Sequence, residues 1–434
     1  MRNYILTAML VLSFAWCVAQ SDEMRLRNWT FHFMNTVVQQ GHGSFDVPYS
    51  GIKSLSNISE TQITVRNTWF VGKRLGKNTS VYINPELAGG SGLSGVTGLA
   101  GFPNGEAFRV GSGAPKVYMA RMFIRHHIPL NDETESFETD ENQLKEDLST
   151  KRLTLTAGKF SLLDYFDGSE YANDGRTQFL NWSLMTGGAY DFASDTRGNT
   201  WGVLAEYFVP RRVIRLAITS PSTTANGPNF DFNFPNASAY NLDIRQKVKL
   251  FKTDAIIGGT VFLNNTKGAV FRAIPNAYTA PDSVVKYRKQ YHMKYGGSIS
   301  LEQEFQSWAW FANGSWANGK TENWGFTQID NSVMGGVLLF GYTWLRPNDR
   351  LGIAGASNGL SPDQQDFLGR GGNGFIIGDG KLSYAREQIF EVYYSIRVNL
   401  NIYITFDYQY IWNMGFNADR GNVGIWGIRT HVDL

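Results

Sequence analysis

The chain has 434 residues, a formal net charge of +2, 18% charged and 14% aromatic residues, 46 glycines and one cysteine. Near-neutral charge argues against a nucleic-acid partner, and the charged fraction lies below the ~25% usual in soluble domains. Cys17 falls inside the leader described next, so no disulfide framework or thiolate metal site is expected beyond it, and no cofactor is called for.

The first twenty residues read as a secretory signal. Met1-Arg2 gives a positive start, Ile5 to Ala19 is apolar apart from Thr7 and Ser13, and small residues near Ala19-Gln20 offer a cleavage site. Trp16 stands where a lipoprotein site at Cys17 wants a small residue. No linker divides the rest, so residues 1–20 are expected to be signal peptide and 21–434 one domain. After residue 20 no run of 18 or more apolar residues occurs, so no transmembrane helix is readable. An exported soluble β-rich protein and an outer-membrane barrel remain.

Strand patterns then follow along the chain: Trp29–Val38, Thr61–Val71, Lys116–Ile128, Arg152–Phe160, Thr200–Val209, Tyr240–Leu250, Ala255–Leu263, Gly297–Phe305, Ser332–Trp344, Gln388–Val398 and Asn399–Tyr410. Successive strand side chains point to opposite faces, so phase assigns each residue a side. In Lys116–Ile128, Val117, Met119, Arg121, Phe123 and Arg125 share one face, and Tyr118, Ala120, Met122 and Ile124 the other. An arginine facing lipid costs about 2–4 kcal/mol near the midplane, which predicts that both arginines point into a lumen. In Tyr240–Leu250, Asn241, Asp243, Arg245, Lys247 and Lys249 share a face, with Gln246 the one fault on the other. In Asn399–Tyr410, Leu400, Ile402, Ile404, Phe406, Tyr408 and Tyr410 oppose Asn401, Tyr403, Thr405, Asp407 and Gln409. The last residues alternate Trp426, Ile428, Thr430, Val432 and Leu434 against Ile425, Gly427, Arg429, His431 and Asp433. Such a final strand leaves an open edge unless it pairs with the first, as in a closed barrel. About 16 strands of ~10 residues, with short turns on one side and longer loops on the other, use most of the roughly 410 residues after the leader. Pro221–Asn236 and Gly355–Gly380 read as loops rich in glycine and asparagine.

Three segments imitate other chemistry. Gly90-Ser-Gly92-Leu-Ser-Gly95 spells a phosphate-cradling turn, but no amphipathic helix follows to receive the phosphate, so a loop is expected. Asp132–Asp147 carries eight acidic residues without the glycine and terminal glutamate of a calcium loop. It reads as a solvated surface loop, with weak divalent-cation bridging to anionic lipid as the functional alternative. His126-His127 are adjacent, hence on opposite faces of a strand, and do not converge as a catalytic pair must.

Longer motifs are more specific. Gly158-Lys-Phe160, Asp164-Tyr-Phe-Asp167, Tyr171-Ala-Asn-Asp174, Arg176-Thr-Gln-Phe-Leu-Asn-Trp182 and Ala189-Tyr-Asp-Phe192 stand in sequence. With them go Asn84-Pro-Glu86, Gly101-Phe-Pro-Asn-Gly-Glu106, Gly319-Lys-Thr-Glu322, Asn358-Gly-Leu-Ser361, Gly371–Gly380 and Asp419-Arg-Gly421. In this order, over essentially the whole chain after the leader, they resemble the carbohydrate-selective porins of the OprB family. The resemblance implies an all-β, 16-stranded antiparallel transmembrane barrel in the outer membrane of a Gram-negative bacterium, with long loops folding partly into the lumen. It implies passive diffusion of mono- and small oligosaccharides, and no enzyme activity. Implied partners are small carbohydrates, outer-membrane lipid and lipopolysaccharide, and the barrel-assembly machinery, with monomer and homotrimer both open. Two departures are Gln364, where histidine is expected, and Leu434 in place of a closing phenylalanine.

A sugar-selective pore needs a constriction where hydroxyls exchange water for protein partners without being held. Phase nominates Arg121, Arg125, Lys159, Glu206, Arg215, Glu391, Arg397 and Asp407 for the lumen wall, and the family-like motifs nominate Asp164, Asp167, Asn173, Asp174, Arg176 and Trp182 on a loop. Arg121 and Arg125, four residues or ~13 Å apart along a strand, form a basic ladder for sugars, or else pair with carboxylates such as Glu206 or Glu391. The rival readings are an outer-membrane barrel enzyme of lipase or protease type, for which the six histidines are scattered, and a soluble β-rich carbohydrate binder.

Overall fold

The computed structural model describes residues 28–107, 113–275, 283–325 and 327–434. The expected leader, with Cys17, lies outside the described residues. The first strands are β1 (Trp29–His42), β2 (Glu60–Gly76), β3 (Thr79–Gly90), β4 (Lys116–Pro129), the short β5 (Thr134–Phe137) and β6 (Glu146–Ser149), and β7 (Arg152–Phe160). Then come β8 (Thr200–Val209), β9 (Arg212–Thr219), β10 (Ser238–Leu250), β11 (Thr253–Thr266), β12 (His292–Glu304) and β13 (Trp308–Ala317). β14 (Asn331–Phe340), β15 (Arg350–Gly359), β16 (Glu387–Arg397), β17 (Ile402–Trp412) and β18 (Asn422–Asp433) complete the set. Apart from the β5–β6 hairpin they form one closed antiparallel barrel of 16 strands, each paired with its chain neighbour, with β1 closing on β18. Among the described residues two short α-helices, α1 (Trp182–Met185) and α2 (Pro362–Gly369), lie in loops.

Closure follows from solvent. Hydrocarbon offers no partner to a backbone N–H or C=O, so a sheet that spans it must have no free edge. The β1–β18 ladder runs from His42 opposite Ile425 to Met34 opposite Asp433. Beyond it Phe33 and Leu434 exchange both backbone hydrogen bonds, at 2.8 and 2.9 Å.

The predicted faces of β10, β17 and β18 are observed. Phe406 and Tyr408 are 51% and 45% exposed on the outer wall, while Thr405, Asp407 and Gln409 are buried inside. Arg429 and His431 point inward and are buried, and Trp426 and Ile428 point out. Exposed rings gather at both ends of the wall. Tyr240, Tyr295, Trp316 and Trp412 lie toward the long loops, and Trp29, Phe31, Tyr207 and Trp308 toward the short turns, as interfacial girdles do. A polar exception, Asn35 opposite Asn67 on the outer face of β1 and β2, satisfies itself through a 2.8 Å hydrogen bond. An apolar hollow of about 360 Å³ bounded by Ile124, Leu155, Val203 and Leu216 also belongs to the outer wall.

β4 departs from its predicted phase. Asn84 pairs with Arg121 but Pro85 pairs with Met119, so Ala120 is an extra residue, a β-bulge. The bulge switches faces. Arg121, Phe123 and Arg125 do point inward, but Val117 and Met119, expected beside them, are exposed on the outer wall, and Tyr118 turns inward instead. A strict alternation has no place for the extra residue. Pro85 opposite the bulge has no N–H to leave unpaired. His126 and His127 do take opposite faces, bonding Thr79 and Thr154 respectively.

Four barrel strands lie outside the predicted set: β3, β9, β13 and β15. β3 contains Pro85 and two terminal glycines, β9 has eight residues, and β13 and β15 put alanine, glycine, serine and asparagine on the inner face. None shows a strong alternation of apolar and charged residues. The predicted loop Gly355–Gly380 is corrected twice, since Gly355–Gly359 completes β15 and Pro362–Gly369 is α2, capped by Ser361. The predicted strand Ser332–Trp344 ends at Phe340 and passes into a 3₁₀ turn over Gly341–Trp344.

Deleting Val432–Leu434 removes the Phe33–Leu434 exchange and the Asn35–Val432 and Ile402–Val432 pairs. Each backbone group stranded in this way costs about 1–3 kcal/mol when buried. The truncated protein is expected to lose heat-modifiable gel migration and fall sharply in outer-membrane abundance, and normal membrane levels would refute this.

Candidate pore constriction

The segment 161–199, between β7 and β8, leaves the wall and crosses the lumen, where most of it is buried, without a break over 179–196. Buried backbone groups need partners, and the inner faces of distant strands supply them. Glu391 of β16 accepts from Leu180 N (2.6 Å) and Asn181 N (2.9 Å). Arg429 of β18 donates to the carbonyls of Gly175 (2.9 Å) and Gln178 (2.7 Å). Glu302 of β12 accepts from Ser169 Oγ (2.6 Å) and Glu170 N (3.1 Å). On the loop itself, Asp167 accepts from Thr186 Oγ1, Gly187 N, Asn313 Nδ2 and Ser298 Oγ. Asp191 takes Trp324 N and Gly325 N from the loop between β13 and β14. Charge-assisted bonds of this kind are about twice as strong as neutral ones, so the crossing segment is held rigidly against the wall.

A polar strip that keeps contact with water, the side chains of Arg66, Arg121 and Asp164 being 16%, 14% and 31% exposed, runs along β2, β3 and β4 and is taken as the passage. Arg66 Nε lies 3.0 Å from Glu106 and 3.3 Å from Glu86. Glu86 also accepts from Thr68 Oγ1 (3.0 Å) and the Tyr118 hydroxyl, while the Arg197 guanidinium sits 3.9 Å from the Tyr118 ring centroid. Both Tyr118 and Arg121 reach this passage because of the Ala120 bulge. Arg121 grips Asp164 in a two-bond fork at 2.6 Å each, and Lys159 meets Asp195 at 3.0 Å. Arg125 donates to the Tyr165 hydroxyl and the Asn142 carbonyl, both at 2.9 Å, above the rings of Tyr82 and Phe123.

A second element enters from the short-turn end. The acidic run Asp132–Asp147, expected as a solvated surface loop, is largely the β5–β6 hairpin, and its tip folds up into the barrel. Asn142 Oδ1 accepts from Asn84 at 2.8 Å, Leu144 is buried among lumen aromatics, and Glu146 pairs with Arg74 at 3.0 Å. The expectation failed because the acidic residues mask one inward stripe, Asn142, Leu144 and Glu146. Glu141 reaches Arg176 at 3.4 Å while its side chain stays 39% exposed.

The closed 16-stranded barrel is matched by comparison. The model of the carbohydrate-selective porin family OprB matches residues 53–434. The chain belongs to this family. Pseudomonas putida OprB at high pH superposes with a TM-score of 0.71 at 14% identity, covering 95% of this chain and 96% of that one. Its low-pH structure gives 0.51 at 10% identity over 95% and 94%. The outer membrane channel DcaP of Acinetobacter baumannii gives 0.51 at 10% identity over 94% and 97%. At these identities the structural likeness speaks for the fold alone. No curated protein matches the chain. As an OprB-family porin, the protein is an outer-membrane barrel of a Gram-negative bacterium, and family and fold are those of channels rather than enzymes.

In this OprB-family barrel the nominated residues divide. Arg121, Arg125 and Asp164 line the passage, with Asn173, Asp174 and Arg176 beside it on the crossing loop, whereas Lys159, nominated for the lumen wall, stands in register with the outward-facing Met122 and only its ammonium reaches Asp195 of that loop. Burial alone would raise Asp174, but Arg176 and hydrogen bonds from Thr177 and the Arg176 N–H hold it below the usual carboxylate range. Glu391 and Asp167 are spent on tethers. Trp182 is packed between Phe102 and Phe192, at 5.1 and 6.2 Å between centroids. Glu206 and Asp243 pair with Arg215 at 3.0 and 3.1 Å, and Asp407 is buried against Gln409. Arg397 has the inward phase but sits at the barrel end, where it donates to the carbonyls of Asn399 and Leu400. Gln364 is buried in α2. Sequence reasoning missed Arg66, Glu86, Glu106, Tyr118, Asp195 and Arg197. Arg66 was readable from the phase of β2, and Glu86 and Glu106 stand inside two of the family-like motifs. The arginine partners are Asp164, Tyr165 and Asn142, and neither Glu206 nor Glu391.

Replacing both Arg121 and Arg125 by alanine frees Asp164 and Asn142 and widens the passage. Planar-bilayer recordings are expected to show higher open-channel conductance and weaker current block by sugar. Unchanged block would make the two arginines purely structural ion-pair and hydrogen-bond partners.

Proposed function

We propose that the protein carries mono- and small oligosaccharides across the outer membrane into the periplasm by passive diffusion. The observation that carries this reading is the composition of the passage. Cations and carboxylates alternate at hydrogen-bond distance around Arg66 and Arg121, so donors and acceptors are dense while local charge is largely compensated. A neutral polyhydroxyl solute can trade water for such partners group by group, whereas an ion meets no uncompensated field of one sign to draw it through. Arginine forks and carboxylates take vicinal hydroxyls two at a time. The same groups already satisfy one another, so each contact with sugar replaces an existing one and stays weak enough for exit.

The rigid tethering of 161–199 supports size selection by a fixed aperture. Transport then needs no energy source and no moving part. Liposomes containing the folded protein are expected to swell in isosmotic glucose, and more slowly as solute size increases from mono- to oligosaccharide. Impermeability of liposomes that demonstrably contain folded barrel would end this reading.

A further inference from the structure

We propose that Phe230, Phe232 and Phe234 form an aromatic track at the outer mouth that binds the apolar face of linear oligosaccharides and feeds them to the constriction. The inference rests on the sugar-channel reading above and adds to it a binding site outside the lumen.

The three rings lie in loop 220–237, between β9 and β10. Their centroids are spaced 6.0 Å (Phe230–Phe232) and 6.4 Å (Phe232–Phe234). Two residues of extended chain rise about 6.6–6.8 Å and return to the same side, which matches this spacing, and successive rings are tilted by 38° and 43° to one another. The intervening residues, Asp231 and Asn233, are polar and serve the loop. Asp231 accepts from the Tyr291 hydroxyl (2.9 Å) and from Asn233 N (3.1 Å). The base is fixed to the rest of the mouth by Thr196 N to Gly227 O (3.1 Å) and Asn226 N to Trp324 O (2.9 Å).

Exposure is graded along the track. Phe230 is partly buried, while Phe232 and Phe234 are 58% and 46% exposed. At one end the Lys159 ammonium lies 5.8 Å from the Phe230 centroid, and Lys159 pairs with Asp195 near the end of the crossing segment. The track thus abuts the end of the crossing segment, where Arg197 lies over the inward Tyr118 ring. Rings held out on a braced loop, with polar groups along the opposite edge, match an amphipathic chain with a C–H face and a hydroxyl rim. A pyranose is such a unit, and an aromatic ring accepts its C–H face. One sugar covers about one ring, whereas a linear oligosaccharide spans two or three and gains from simultaneous contact.

The test uses the full-length protein in planar bilayers, with glucose or a linear glucose trimer added on the long-loop side. Phe232→Ala with Phe234→Ala is expected to lower the association rate of trimer block about five- to tenfold, to leave glucose block unchanged, and to be reversed by Phe232→Trp with Phe234→Trp. Heat-modifiable migration checks that each variant is folded. Unchanged trimer block in the alanine variant overturns the proposal. So does an equal fall for glucose and trimer, which would mark the loop as a general structural support, or as a seat for lipid or a second copy. If the unsubstituted protein shows no sugar block or passage, the channel reading fails first and the track with it. If it passes sugar and the variants behave alike, only the track fails.

Discussion

Hydrocarbon cannot hydrogen-bond a peptide group, and the rest of this molecule follows from that. It forces the sheet to close, with Phe33 and Leu434 exchanging hydrogen bonds at the seam. It also sorts side chains, because a charged group on the outer wall is costly and one facing the lumen is not. Sixteen strands that each send their polar residues inward fill the lumen with arginine, glutamate and aspartate. These charges must themselves find partners.

They find them in two ways, and the division gives the pore its form. Deep carboxylates such as Glu391, and arginines such as Arg429, take loop backbone that would otherwise be buried without partners. Along β2 to β4, the remaining charges pair with one another and stay partly in water at Arg66, Arg121 and Asp164. The wall opposite the passage is thus consumed in holding 161–199 in place, and the passage is what the crossing loop leaves uncovered. A single inserted residue, Ala120, then directs both Tyr118 and Arg121 into that space.

The sequence was most legible where chemistry alternates strongly. β7 and β8 were read with the observed limits, and the inward course of β10, β17 and β18 was plain because lysine, arginine and aspartate alternate with isoleucine and phenylalanine. Strands β13 and β15 were not legible, because where loops pack against the inner wall alanine, glycine and serine replace charge. The bulge in β4 was invisible to a period of two. Of the site, phase identified lumen-facing residues but not which of them a loop would cover. Glu391, Asp407 and Arg121 look alike in sequence, and only the path of 161–199 separates tether from passage. The acidic hairpin was missed for a related reason, since its exposed charges outnumber the inward Asn142, Leu144 and Glu146.

The account stands on the claim that buried wall and loop carboxylates hold 161–199 as a fixed constriction. Single-channel conductance of a variant carrying both Glu391→Ala and Asp167→Ala tests it most directly, because each substitution removes tethers while leaving the lining of the passage unchanged. The account predicts a folded, heat-modifiable barrel with larger and noisier conductance and reduced discrimination between mono- and oligosaccharides. A folded variant with the parent's conductance and the parent's discrimination would contradict it.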